Sequence, residues 1–122
     1  MDEKDNNAEL EVGAERREFV RFPVNINLKF RNCNTGQEKE AQMYDIGAKG
    51  IGIWTDKEIP KDTILEIWIE IPNDGQVKYN QGSVAWSKEA GPSRYRSGIR
   101  FERIDFKGVS LILRATYGEN WL

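Results

Sequence analysis

Histidine is missing from all 122 residues, and cysteine occurs once. Without an imidazole there is no triad base and no histidine metal ligand. Cys33 alone cannot close an internal disulfide, pair with an imidazole or complete a zinc site. Acidic side chains are plentiful, but their spacing suggests only turns and strand exteriors, so no catalytic residue, metal or cofactor is expected. No apolar run approaches the roughly 18 residues needed to cross a bilayer, which argues against membrane insertion. The first residues are acidic and polar, where a secretory leader would be basic and then apolar, so the expected location is cytoplasmic.

Net charge is small, and the charges are unevenly placed. Residues 1–15 hold six acids (Asp2, Glu3, Asp5, Glu9, Glu11 and Glu15) against Lys4, a net of −5, so the remaining chain carries +3 of the overall −2. That composition predicts a flexible acidic tail over 1–15 and a single domain over 16–122, with room for one modest core. A domain at +3 lacks the broad positive face of a duplex-binding protein, so no DNA or RNA partner is expected. A binder of single strands would want an exposed aromatic platform and a longer basic groove, and neither is visible in the sequence. A small anionic ligand held at one place is compatible with this balance.

What the chain does have is alternation. Val24, Ile26, Leu28 and Phe30 interleave with polar residues, and Leu65, Ile67, Ile69 and Ile71 oppose Glu66, Trp68 and Glu70, the period of half-buried strands. Between them Glu38–Tyr44 reads as a returning strand, Asp45–Gly50 as a turn, and Ile51 and Ile53 as inward positions of another strand. Pro72-Asn73-Asp74-Gly75 is a strong turn signal. Further strands are expected near Val77–Ser87 and Arg94–Phe101, separated by Glu89-Ala90-Gly91-Pro92. Six or seven short strands favour an antiparallel barrel or sandwich. At the end, Asp105 suits an N-cap, and Phe106, Val109, Ile112, Leu113, Thr116 and Tyr117 recur at helical spacing, predicting one amphipathic helix packed on the strands.

Two strings carry chemistry. Arg16-Arg17-Glu18-Phe19-Val20-Arg21 places three guanidinium groups just ahead of the first strand, and Asp45-Ile46-Gly47-Ala48-Lys49-Gly50 is an acidic segment punctuated by glycine. A guanidinium fork fits phosphate oxygens or the O6/N7 edge of guanine, and a carboxylate can accept from the N–H edge of the same base. Together they suggest a clasp for a guanine nucleotide. Taken singly, an arginine cluster is more often a solvated or ion-paired edge, and an Asp–Gly segment more often a plain turn.

The order of these strings, followed by a Pro-containing loop, Gly82-Ser83-Val84-Ala85-Trp86 and Gly98-Ile99-Arg100-Phe101, resembles the PilZ domain over about residues 15–117. The resemblance implies a six-stranded antiparallel β-barrel with a C-terminal α-helix, and a receptor for the bacterial second messenger cyclic di-GMP. Arg17 and Arg21 fill the family's RxxxR motif, with Arg16 as an added arginine. Asp45 and Gly50 fill the ends of [D/N]xSxxG, but Gly47 stands where serine is usual. Losing that hydroxyl is expected to weaken binding by about 1 kcal/mol, a few-fold to tenfold.

By the same resemblance Arg17 and Arg21 are assigned to phosphate and guanine, and Asp45 to the guanine N–H edge. Gly47 and Gly50 would allow close backbone approach. Trp86 is a candidate apolar wall, although alternation alone leaves a core role equally open. The expected output is a ligand-driven conformational change that alters interaction with a downstream protein of the motility, pilus or exopolysaccharide machinery. The alternative is a degenerate adaptor that binds protein but no nucleotide.

Overall fold

The computed structural model describes residues 20–118. The acidic segment 1–15, Arg16 and Arg17 lie outside these residues.

Alternation sorts each strand into an inner and an outer face. In β1 (Phe22–Asn32) the inward residues Ile26, Leu28 and Phe30 are buried. After a turn at Cys33–Gln37, β2 (Glu38–Gly47) returns antiparallel and buries Met43 and Ile46. β3 (Gly50–Thr55), β4 (Ile64–Glu70), β5 (Val77–Gly91) and β6 (Arg94–Phe101) follow, every pairing antiparallel. Among the described residues these six strands close into a ring in the order β1-β2-β3-β6-β5-β4, with β4 returning to β1 through Leu28↔Ile69 and Phe30↔Ile67. The expected barrel is what the chain forms.

The interior is almost wholly aliphatic. Ile51, Ile53, Leu65, Ile67, Ile69 and Val84 are fully enclosed, and Val109, Ile112 and Leu113 of α1 (Phe106–Tyr117) join the same cluster. Asp105 caps the helix as its sequence position suggested: Gly108 N–H donates to Asp105 Oδ1 at 2.9 Å, satisfying one of the free amides of the first turn. The helix faces the barrel differently at its two ends. Phe106 is exposed, because the first helical residue precedes the buried stripe, and Tyr117 is exposed while its hydroxyl donates to the Pro23 carbonyl.

Two boundaries differ from the alternation reading. β2 runs three residues further, through Gly47, so the expected Asp45–Gly50 turn shrinks to Ala48–Lys49, with Gly47 paired to Gly50. Asp45 is therefore a strand residue. β5 likewise continues to Gly91 and turns at Pro92–Ser93, because polar outward residues do not interrupt a ladder whose backbone hydrogen bonds continue.

Candidate functional site

The site begins with two irregularities in the ladder. Between β2 and β3 the register slips from Met43↔Ile53 to Asp45↔Gly52, leaving Tyr44 as an extra residue. Such a bulge re-aims side chains. Met43 and Ile46 stay buried, while Tyr44 and Asp45 both reach the outer surface over Gly52: a Cβ there would lie 2.4 Å from Tyr44 Cζ and 2.7 Å from Asp45 Oδ1. Between β5 and β6 the register slips from Val84↔Ile99 to Trp86↔Gly98. The Trp86 indole covers Gly98, where a Cβ would stand 2.3 Å from its Nε1. Gly52 and Gly98 are themselves paired, so Tyr44 with Asp45 and the Trp86 indole lie over two adjacent strands at one level of the sheet.

Arg21 enters this surface from the segment preceding β1. Its Nη2 forms an ion pair with Asp45 Oδ1, the two side chains being 25% and 22% exposed. Its Nε is buried with no hydrogen-bond partner among the described residues. The position of Gly47 explains how Arg21 gets there, since a Cβ at residue 47 would meet Val20 O at 2.9 Å and Arg21 Cδ at 3.1 Å. Glycine at 47 thus lets the incoming chain lie directly on β2. Gly50 is tighter still, with a Cβ falling 2.1 Å from the Ile99 carbonyl oxygen.

These elements enclose a shallow cleft of about 150 Å³, lined by Arg21, Lys49, Gly50, Trp86, Gly98 and Arg100 among others. Of the residues singled out from sequence, it brings together Arg21, Gly50 and Trp86. Asp45 and Gly47 reach it through their contacts with Arg21, and Arg16 and Arg17 lie outside the described residues. Trp86, 39% exposed, is an outer wall rather than core.

Lys49 and Arg100 were missed. Both signals were present: Lys49 sits in the hairpin between the two glycines of the second string, and Arg100 shares outward parity with Gly98 on β6. Three cations therefore converge on one cleft, favourable to a phosphate-bearing ligand.

Beside the cleft, partial burial and the neighbouring Asp45 charge raise the Tyr44 phenol above its usual pKa, opposed by a hydrogen bond from Arg96. A larger cavity of about 570 Å³ opens on the outer faces of β1, β2 and β4. Its lining carries Glu40 and Glu70 against Lys29 alone and shares no residue with the cleft, so its charge is wrong for an anion. Among the described residues no group of three or more histidine, cysteine or acidic side chains could hold a metal ion, and no helix is long and apolar enough to cross a membrane.

A PilZ domain family model matches residues 15–118. The chain belongs to the PilZ domain family. Solved PilZ-type structures share its fold at low identity. The Bacillus subtilis inhibitor of motility MotI/DgrA superposes with a TM-score of 0.64 at 16% identity, covering 83% of this chain and 50% of that one. The PilZ domain of Escherichia coli YcgR, solved with c-di-GMP, gives 0.65 at 14% identity over 84% of this chain and 90% of that one. The K. pneumonia MrkH–c-di-GMP complex gives 0.65 at 14%, over 82% and 50%. This PilZ domain thus spans about half the length of the Bacillus protein. No match is found among curated protein sequences.

Proposed function

We propose that this PilZ domain is a non-catalytic, cytoplasmic receptor for cyclic di-GMP. The observation that carries the reading is the cleft itself, where Arg21, Lys49 and Arg100 converge beside Trp86. The ligand has two phosphates and two guanines, so it needs cations, an acceptor for the base N–H edge and a flat wall. Arg21, which lines the cleft, would turn its guanidinium fork to a phosphate or guanine oxygen, its buried Nε–H having no partner among the described residues to lose. Asp45 uses Oδ1 for Arg21, and a carboxylate accepts at both oxygens, so Oδ2 can serve the guanine N–H edge. Trp86 supplies the wall, and Arg17 and Arg16, just upstream, would add cations. Family membership and the c-di-GMP complexes of YcgR and MrkH support the same ligand.

The arginines stand between residues 1–15 and β1, so binding would reposition that junction and change what the domain offers a downstream protein. Calorimetric titration of cyclic di-GMP into the full chain should release or absorb heat at tens of micromolar protein, and amide exchange over residues 10–22 should slow at saturation. Absence of heat would favour the adaptor that binds protein alone. Heat without slowed exchange would keep the receptor and discard the switch.

A further inference from the structure

The strands beyond the cleft carry a second arrangement that the cyclic di-GMP reading does not use. On β3 and β6 the outward positions are Gly52, Trp54, Arg94, Arg96, Gly98 and Arg100, with no aliphatic side chain among them. Arg94 lies over Trp54, its Cζ 3.8 Å from a ring centroid. Arg96 Cζ is 5.2 Å from the Tyr44 ring and 5.7 Å from Trp54, and the two rings are 5.3 Å apart. Register sets the next cation, since Arg96 pairs with Lys88 on β5, whose Nζ stands 5.8 Å from the Trp86 ring.

We infer that this arginine–aromatic ladder of Tyr44, Trp54, Arg94 and Arg96 binds single-stranded nucleic acid. Alternate residues on a strand are about 7 Å apart, so Arg94 and Arg96, with Lys88 opposite Arg96, give cations at a spacing that an extended sugar–phosphate chain can follow. A guanidinium stacked on a ring keeps its other face for a base and its edge N–H groups for phosphate. Of the nearby carboxylates, Asp45 is paired with Arg21, and Asp56, just past β3, with Lys39 at 2.9 Å. Tyr, Trp and Arg are also enriched in protein interfaces, so an acidic protein is the competing occupant that the test must exclude. The four ladder residues do not line the cleft, so the inference stands apart from the cyclic di-GMP reading. It also reverses the expectation of no DNA or RNA partner, because the platform is assembled across strand pairings, Gln42↔Trp54 and Trp54↔Arg96, that set Tyr44, Trp54 and Arg96 side by side.

The test is fluorescence anisotropy of labelled oligothymidylate and oligouridylate with the full chain at low salt. Binding is expected, with log K falling by about 0.7 per decade of salt for each phosphate neutralised, and a duplex of equal length binding more weakly. The double variant Arg94→Gln/Arg96→Gln should bind about tenfold more weakly or worse, with an unchanged melting temperature. Should that variant melt early, the single Arg94→Glu change at the exposed end of β6 replaces it. No oligonucleotide binding, or equal affinity in a folded variant, overturns the inference. Binding of polyglutamate in preference to either oligonucleotide would overturn it in favour of an acidic protein.

Discussion

The inner and outer faces of β2, β3, β5 and β6 are made by the same residues taken alternately, yet they differ completely. Inside are Met43, Ile46, Ile51, Ile53, Val84 and Ile99, closely packed and apolar. Outside are rings, guanidinium groups and the Arg21–Asp45 pair. The inner face stabilises the barrel without regard to ligand, whereas the outer face can be rearranged without touching the core. Glycines join the two. At Gly50 and Gly82 the missing Cβ lets backbones approach, while at Gly52 and Gly98 it lets Tyr44 and Trp86 lie flat.

The largest effect is expected where that division fails, at Gly50. An added methyl would stand 2.1 Å from the Ile99 carbonyl oxygen, and backbone cannot swing aside as a side chain can. Gly50→Ala should lose about 3 kcal/mol or more and lose cyclic di-GMP binding with it, read by denaturant melts. A stable Gly50→Ala protein would show that β3 and β6 are not held as closely as described.

Arg21→Ala should break the comparison the other way, damaging the outer face alone. Removing a charge-assisted partner is expected to cost about 2–3 kcal/mol of ligand binding, roughly 30- to 150-fold. Stability should change by about 1 kcal/mol or less, as befits a partly exposed ion pair. Calorimetry beside a thermal melt separates the two, and an unchanged affinity would remove Arg21 from the site.

Position 47 sharpens the comparison further, because its two substitutions differ only by a hydroxyl. Gly47→Ala places a Cβ 2.9 Å from Val20 O and should weaken cyclic di-GMP binding several-fold by displacing Arg21, at about 1 kcal/mol. Gly47→Ser carries the same displacement but restores the family hydroxyl, so it should bind more tightly than Gly47→Ala. Equal affinities would mean the hydroxyl has no partner here.

The interior was legible in advance because period-two alternation of isoleucine, leucine and valine has one structural meaning, and the Asp105 cap has another equally local one. The outer face was legible only in part. Arg21, Asp45 and Gly50 are fixed by motif, but Lys49 and Arg100 enter the cleft through pairing between strands far apart in sequence. The bulges at Tyr44 and Ala85 are set by tertiary register, which no local pattern encodes. Trp86 could be placed outside only once the second slip put its indole over Gly98. Alternation on β6 then gathers Arg94, Arg96 and Arg100 on that same outer face.

The smallest expected effect tests whether the outer face contributes to stability at all. Tyr44 is held neutral in the folded chain, first by partial burial and then by the Asp45 charge, so its pKa lies above the value it takes when unfolded. A group with a raised folded pKa adds stability that is complete below the unfolded pKa, about 10 for tyrosine. As the pH rises past that value the unfolded chain gives up the phenolic proton more readily than the folded one, and the contribution is lost through the higher folded pKa. Wild type should therefore lose stability from about pH 10 upward more steeply than Tyr44→Phe, while the two curves run parallel below it. Other tyrosines and lysines titrate in the same range, so the difference between paired denaturant midpoints isolates Tyr44. If the two slopes stay equal above pH 10, the phenol is not shielded by its neighbours, and the tilted Tyr44–Trp54 pair on β2 and β3 is open to water.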